Sequence, residues 1–214
     1  MPPKLDPAEV VRTALRLLNE TGLEGLTLRR IATELKVQAP ALYWHFGSKQ
    51  ALLDAMATQL FQEMSAEPWP APEAGWREWV AGSCRNQRRV LLRYRDGAKV
   101  FSGTQLQGSE HAATLERVFA ALVAAGFPLD EAVQAYATGA AYTVGFVIEE
   151  QCVHPLPGEV DARYDPAARA ERIGGAYPLA ARAGEGLFTG FDERFERGIA
   201  VLVAGLAATV PGIA

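Results

Sequence analysis

Histidine and cysteine are scarce in this chain, with three of the first and two of the second in 214 residues. So few imidazoles leave little for general acid–base chemistry, which uses histidine most often. His111 and His154 stand alone and read as surface residues rather than metal ligands. Cys84 and Cys152 are too few for a disulfide framework, and both fall in helix-like stretches, so they read as reduced thiols. No run of about 18 apolar residues occurs, so no membrane span is expected. Met1-Pro-Pro-Lys4 lacks the apolar core of a secretion signal, and the expected location is the cytoplasm. No stretch alternates apolar and polar residues convincingly with a period of two, and there is no internal repeat. Glu149 and Glu150 are adjacent, so on a helix they point about 100° apart and do not converge. Without a Ser-His-Asp order, a metal-spaced His/Cys set or a phosphate-cradling glycine loop, no enzyme chemistry, metal or cofactor is expected.

What remains is helix. Apolar residues make up 49% of the chain, ample for a packed core. Asp6-Pro7 opens a first helix, in which Val10, Val11, Ala14, Leu15 and Leu18 recur with helical period and which Gly22 stops. A fourth helix begins at Ser48, with Leu52, Leu53, Met56, Leu60 and Met64 apolar on one side. A proline-rich loop follows over 66–75, then helices over about 75–94, 98–101 (or a turn), 110–125 and 128–152. Residues 153–166 read as a loop and 166–173 as a short helix. Residues 174–186 read as irregular, and about 188–209 as the final helix. The helix over 128–152 is apolar on most faces and rich in small residues, which predicts burial all round. The expected fold is all-α, with a domain over 1–48 and a second over 49–214, connected by a helix over 49–65.

The most informative stretch runs from Leu26 to Lys49. Thr27 caps a helix from Leu28 to about Leu35, because its hydroxyl can accept an orphan backbone N–H. Pro40 sits in the first turn of a second helix, Ala39 to His45, where it removes no needed donor. Ile31, Ala32 and Leu35 share one face of the first of these helices, Val37 fills the turn, and Leu42 packs the second back onto the first. That is a helix-turn-helix, whose second helix lies in the DNA major groove. Gln38, Ala39, Ala41, Tyr43, Trp44 and His45 are left outside, with Lys49 beyond. They are small, aromatic or hydrogen-bonding, which suits a groove and its phosphates. A helical pair that only packs on its neighbours would leave this exposed aromatic run unexplained. The net charge of −4 hides a division: residues 1–50 hold seven Lys/Arg against five Asp/Glu, and the rest of the chain is net −6. The modest basic surplus therefore lies with the helix-turn-helix.

Thr27-Leu-Arg-Arg-Ile-Ala32, Leu35-Lys-Val37, Ala41-Leu-Tyr-Trp-His-Phe46, Ser48-Lys49 and Ala51-Leu-Leu-Asp-Ala55 resemble the N-terminal domain of the tetracycline-repressor (TetR) family of transcription regulators. The likeness resumes at Tyr94-Arg-Asp-Gly-Ala-Lys-Val100, Gly103-Thr104, Val144-Gly145 and Glu149-Glu-Gln151, in the manner of the family's tetracycline-repressor branch. Lys36 departs from the pattern, standing where the family usually has glycine, so a non-glycine residue is expected at positive φ there.

Carried over residue by residue, the resemblance makes Arg29 a base contact, reaching a guanine through O6 and N7. It puts Gln38, Ala39, Pro40, Ala41, Tyr43 and Trp44 on the recognition helix. Tyr43, His45 and Lys49 become phosphate contacts, with Thr27 a further one. Ala39 and Ala41 replace a base-reading Gln and a Thr, so a different operator is expected. The resemblance also implies a homodimer, paired through the helices near 128–152 and 188–209 as a four-helix bundle and reading double-stranded palindromic DNA.

In the tetracycline-binding branch the second domain holds a drug–Mg²⁺ complex. Here Thr104 and Glu149 are kept. Ser65 and Ser83 replace a His and an Asn, Phe101 replaces the metal-binding His, and Val118 replaces a Gln. A phenyl ring offers a cation no lone pair. The expected cavity is lined by Ser65, Ser83, Gln87, Phe101, Thr104, Gln105, Val118, Tyr142 and Glu149, takes a small and largely apolar effector, and does not chelate Mg²⁺–tetracycline. The resemblance further implies repression relieved by that effector, with residues 96–105 as relay.

Overall fold

The computed structural model describes residues 5–71, 73–210 and 212–213 and is all-α. Helix α1 (Pro7–Gly25) starts as Asp6 accepts the Ala8 amide at 3.0 Å, with Pro7 in its first turn. Gly22, at φ 66°, breaks its regular path near the end. Helix α2 (Leu28–Glu34) is capped by the Thr27 hydroxyl, which accepts the Arg30 amide at 3.2 Å. Helix α3 (Ala39–His45) follows a turn in which Lys36 takes φ 55°, as its replacement of glycine foretold. Ser48 then caps α4 (Lys49–Ala66) through the Ala51 amide.

These four helices share one core. Val10, Ala14 and Leu18 from α1 meet Ile31 from α2, Leu42 from α3, and Leu52, Met56 and Leu60 from α4. All eight are at least 99% buried, so each contributes roughly the full transfer energy of its side chain. Arg16 bridges α1 to α2 through Glu34 at 2.5 Å. The core does not stop at the helix-turn-helix: Val90, Leu91, Ala98, Val100 and Val147 belong to it as well. The two halves of the chain are therefore joined by packed side chains.

The second half comprises α5 (Gly75–Leu91), α6 (Gly97–Phe101), α7 (Glu110–Ala124), α8 (Leu129–Val153), α9 (Pro166–Ile173), α10 (Pro178–Phe188) and α11 (Phe191–Thr209). Trp76, Trp79, Val118, Leu122 and Phe127 form a second core around α5, α7 and α8. Phe195 and Ile199 dock α11 on Ala81 and Cys84 of α5. Beside them Arg88 makes a two-pronged ion pair with buried Glu150, at 2.8 and 2.6 Å, and reaches Asp192 at 2.6 Å.

Three expectations change. Residues 174–186 are not irregular: Pro178 opens α10, which packs on α9, and the Arg169 guanidinium donates to the Ala180 carbonyl. Within α10, Gly184 lies against the Arg169 side chain of α9. Helix α8 is not buried all round, because Val133, Ala137, Ala141, Gly145 and Glu149 form an exposed stripe. On α11 Val201, Ala204, Gly205 and Ala208 are exposed in the same way. Finally, α5 ends at Leu91 rather than near 94: the Gln151 amide donates to the Leu91 and Tyr94 carbonyls, and Asp96 at φ 54° then leads into α6.

Candidate functional site

Two surfaces carry chemistry. The first is built by α3. Its single fully buried residue, Leu42, anchors it to the core, with Ala39 packed beside it, and most of the other side chains turn outward. Trp44 is 89% exposed and Tyr43 is 55% exposed. Thr27, Arg29, Gln38, Pro40, Ala41 and Lys49 are exposed beside them, while Ala39 and His45 are half-buried. Trp44 is not packed beneath α4 but stands almost entirely in solvent. Trp44 and Tyr43 are adjacent in sequence and both largely exposed, so α3 presents a pair of aromatic side chains to solvent. Thr27 keeps its hydroxyl proton available, since its oxygen accepts in the cap. Lys49 donates to the Leu23 carbonyl at 3.1 Å, which places its ammonium between α1 and the start of α4.

The contact between the halves lies behind this surface. The Asp96 carboxylate accepts the Leu23 amide at 2.9 Å and Lys99 Nζ at 2.7 Å. Asn19 accepts the Arg95 amide at 2.8 Å and donates to the Arg93 carbonyl at 3.2 Å. Burial alone would raise the Asp96 carboxyl, but Lys99, the Leu23 amide and Arg95 outweigh it and hold it below its ordinary value. Beyond α6 the chain is tied to α4, through Gln105 N–H to Asp54 and Gln107 N–H to Thr58.

The second surface is internal. A narrow cavity of about 30 Å³ lies among α4, α5, α7 and α8. Phe61 and Met64 come from α4, Trp69 from the loop after it, and Val80, Ser83, Cys84, Asn86 and Gln87 from α5. Thr114, Val118 and Leu122 come from α7, and Ala135, Tyr136, Gly139 and Ala140 from α8. No charged side chain lines it. Burial pushes the Cys84 thiol up and the Tyr136 hydroxyl up to about 12, so both are neutral near pH 7. The hydroxyls on this side point into the protein: Thr114 donates to Ser65 at 2.7 Å, Ser65 to the Phe61 carbonyl at 2.8 Å, and Ser83 to the Trp79 carbonyl at 2.7 Å.

Of the nine residues expected to line a cavity, Ser83, Gln87 and Val118 are on the wall, and Ser65 stands behind it as the partner of Thr114. The other five lie elsewhere. Phe101 packs on the first core, and Thr104 donates back to its carbonyl at 2.8 Å. Gln105 is exposed. Tyr142 is about 200° around α8 from Ala140, so it stacks on Phe195 and donates to the Phe195 carbonyl at 3.0 Å. Glu149 is exposed, about 15 Å along the helix from Gly139. Sequence reasoning missed Phe61, Met64, Trp69, Cys84, Asn86, Thr114 and Tyr136. One signal was present: the adjacent amides Asn86-Gln87 interrupt the apolar pattern of α5, and both are buried.

The lone histidines are less superficial than expected. His111 sets its ring edge-on to Phe61, and His154 packs on Phe191 with Nδ1 3.0 Å from the Glu159 carbonyl. Both cysteines are free thiols. Among the described residues no helix is long and apolar enough to cross a membrane.

Residues 10–56 match the family described as bacterial regulatory proteins, tetR family, and residues 69–210 match the tetracyclin repressor-like C-terminal domain. The chain is 41% identical over 204 residues to the tetracycline repressor protein class A from transposon 1721 of Escherichia coli, covering 95% of this chain and 91% of that protein. A crystal structure of a possible TetR family transcriptional regulator from Streptomyces coelicolor A3(2) superposes with a TM-score of 0.82 at 38% identity, covering 95% of this chain and 99% of that one. The structure of a TetR variant from Acinetobacter baumannii AYE in complex with minocycline superposes at 0.73, with 35% identity and coverage of 96% and 98%. The chain thus belongs to the tetR family of bacterial regulatory proteins and is a ligand-responsive, DNA-binding transcription regulator rather than an enzyme.

Proposed function

We propose that this regulator is a cytoplasmic repressor which binds a palindromic operator as a homodimer and is released by a small, largely apolar effector. The outward display of Trp44 and Tyr43 on α3, on a helix that fits a major groove, carries the reading. Residues 1–48 form the DNA-binding domain and 49–214 the regulatory one. Arg29 reads a base; Gln38, Ala39, Pro40, Ala41 and Trp44 lie along the groove; Tyr43, His45, Lys49 and Thr27 hold phosphates. Pairing occurs through α8 and α11, whose exposed small residues allow two helices to approach closely, and most oligomers are twofold dimers. Two copies of α3 then meet successive major grooves about 34 Å apart, or a multiple of that.

The effector enters the cavity bounded by α4, α5, α7 and α8. Magnesium chelation does not fit this wall, which offers neither imidazole nor carboxylate. Ligand preference for one arrangement of the halves shifts the population away from the DNA-competent spacing. The route is Asp96 to Gln105, fixed to α1 at Leu23 and to α4 at Asp54. A gel shift with DNA flanking the encoding gene tests the reading: a salt-sensitive, sequence-selective complex supports it, and absence of any complex at low salt rejects it. Gel filtration at the mass of one chain rejects the dimer.

A further inference from the structure

Asn86 is 2% exposed and on the cavity wall, yet only half of its amide is used. Its Nδ2 donates to the Met64 carbonyl at 2.8 Å, and a carbonyl can only accept, so this bond fixes which way the amide faces. Oδ1 is left buried with no partner. A buried acceptor without a donor is unusual enough in a folded protein to need a reason. The neighbouring hydroxyls of Thr114 and Ser83 do not supply one, because both give their protons to protein oxygens. Asn86 also stands outside the positions that the resemblance assigns to ligand contact.

We propose that Asn86 Oδ1 is the polar anchor of the effector site, and that the site selects a flat, uncharged aromatic molecule carrying a hydroxyl that donates to it. The aromatic part follows from the walls, where Phe61, Trp69 and Tyr136 bring three aromatic rings to a narrow cavity that must widen to admit a ligand. The absence of charge follows from the lining, which holds no ion to compensate a buried one. The hydroxyl follows from the orphaned oxygen, which rejects a like-shaped molecule without a donor. This deepens the effector reading above and rests on it.

Calorimetry with the full-length protein, without DNA, compares 2-naphthol with 2-methylnaphthalene, which has the same shape and no donor, and with 2-naphthoate. The expected result is 2-naphthol binding roughly tenfold or more tighter than either, the increment one matched hydrogen bond brings. In Asn86→Leu the ratio of 2-naphthol to 2-methylnaphthalene falls to about one. If that variant does not fold, the comparison on the unaltered protein decides. Equal binding of the two on that protein, preference for 2-naphthoate, no measurable binding of 2-naphthol, or a ratio that survives in folded Asn86→Leu overturns the assignment. A separate titration of the DNA complex with 2-naphthol distinguishes the two levels. Selective binding that leaves DNA bound keeps Asn86 as anchor and removes the cavity from the release mechanism.

Discussion

The Asp96 carboxylate accepts the Leu23 amide at 2.9 Å, joining the break at the end of α1 to the start of α6 across 73 positions of sequence. Leu23 follows Gly22, the residue at which α1 leaves regular geometry, so its amide has no helical partner to lose. Asp96 is itself at φ 54°, a conformation that Asp and Asn tolerate better than most side chains. The helix-turn-helix therefore meets the regulatory half at a carboxylate held by its own lysine, Lys99.

Asp96→Asn keeps the left-handed conformation and an acceptor for Leu23 but gives up the charge. It should lower stability at pH 7 by about 1 kcal/mol. The folded carboxyl lies below the ordinary 3.8, so the stability it adds is present above that value and is lost as pH falls through the depressed one. Urea titrations should therefore show a constant gap between the two proteins from pH 7 down to about 5, closing below 3.8. A gap unchanged at the acid end would mean that the charge has no part in the contact.

Lys49 and Arg29 should fail differently. Lys49→Ala is expected to weaken binding to all DNA alike and to reduce the slope of log affinity against log salt by about one. Arg29→Ala should relax preference at one base pair, at a cost of about 1–3 kcal/mol for the preferred sequence. Anisotropy titrations over a salt series, with every base of the half-site varied in turn, separate the two patterns. Wild-type behaviour in both variants would refute the assignment of α3 and its surroundings to DNA.

Arg88→Met leaves Glu150 charged and buried without its partner, and should cost about 3–5 kcal/mol. Adding Glu150→Leu should return most of that loss, since a buried pair exchanged for apolar groups is often neutral. Thermal unfolding at one fixed protein concentration makes the comparison, as the concentration itself shifts a dimer's stability. A double variant as unstable as the single one would show that the pair stabilises the fold in its own right.

Gly198 on α11 has no room for a side chain, because a Cβ there would overlap the Tyr142 hydroxyl and ring. Gly198→Ala should destabilise by about 1–3 kcal/mol, the usual range for overpacking. In a Tyr142→Ala background the same change should cost much less, and full additivity of the two would place the strain elsewhere.

The helix-turn-helix was legible because its signals are local. Thr27, Ser48 and Asp6 each cap the helix that follows them, and Lys36 takes the positive φ its position required. Elsewhere locality failed. Gly184 and Gly186 fall in the stretch read as irregular, although both lie within α10, which only its packing on α9 makes visible. Between α5 and α6 it is Asp96 that turns left-handed, while Gly97 is needed because the Leu91 carbonyl occupies the space of a side chain. The cavity was legible only on α5 and α7, through Ser83, Gln87 and Val118. Placing Tyr142 and Glu149 needs the rotation of α8 against its neighbours, which one sequence does not encode locally. Asn86 was overlooked because a buried amide has no meaning until its partner, the Met64 carbonyl, is seen.

Hydroxyl-radical footprinting on DNA flanking the encoding gene most directly tests whether two copies of α3 read one duplex. Two protected patches related by a dyad, with centres about 34 Å apart or a multiple of that, are predicted, and both should vanish together when effector releases the protein. One isolated patch, or patches at a spacing that puts the second on the opposite face of the helix, would contradict the account.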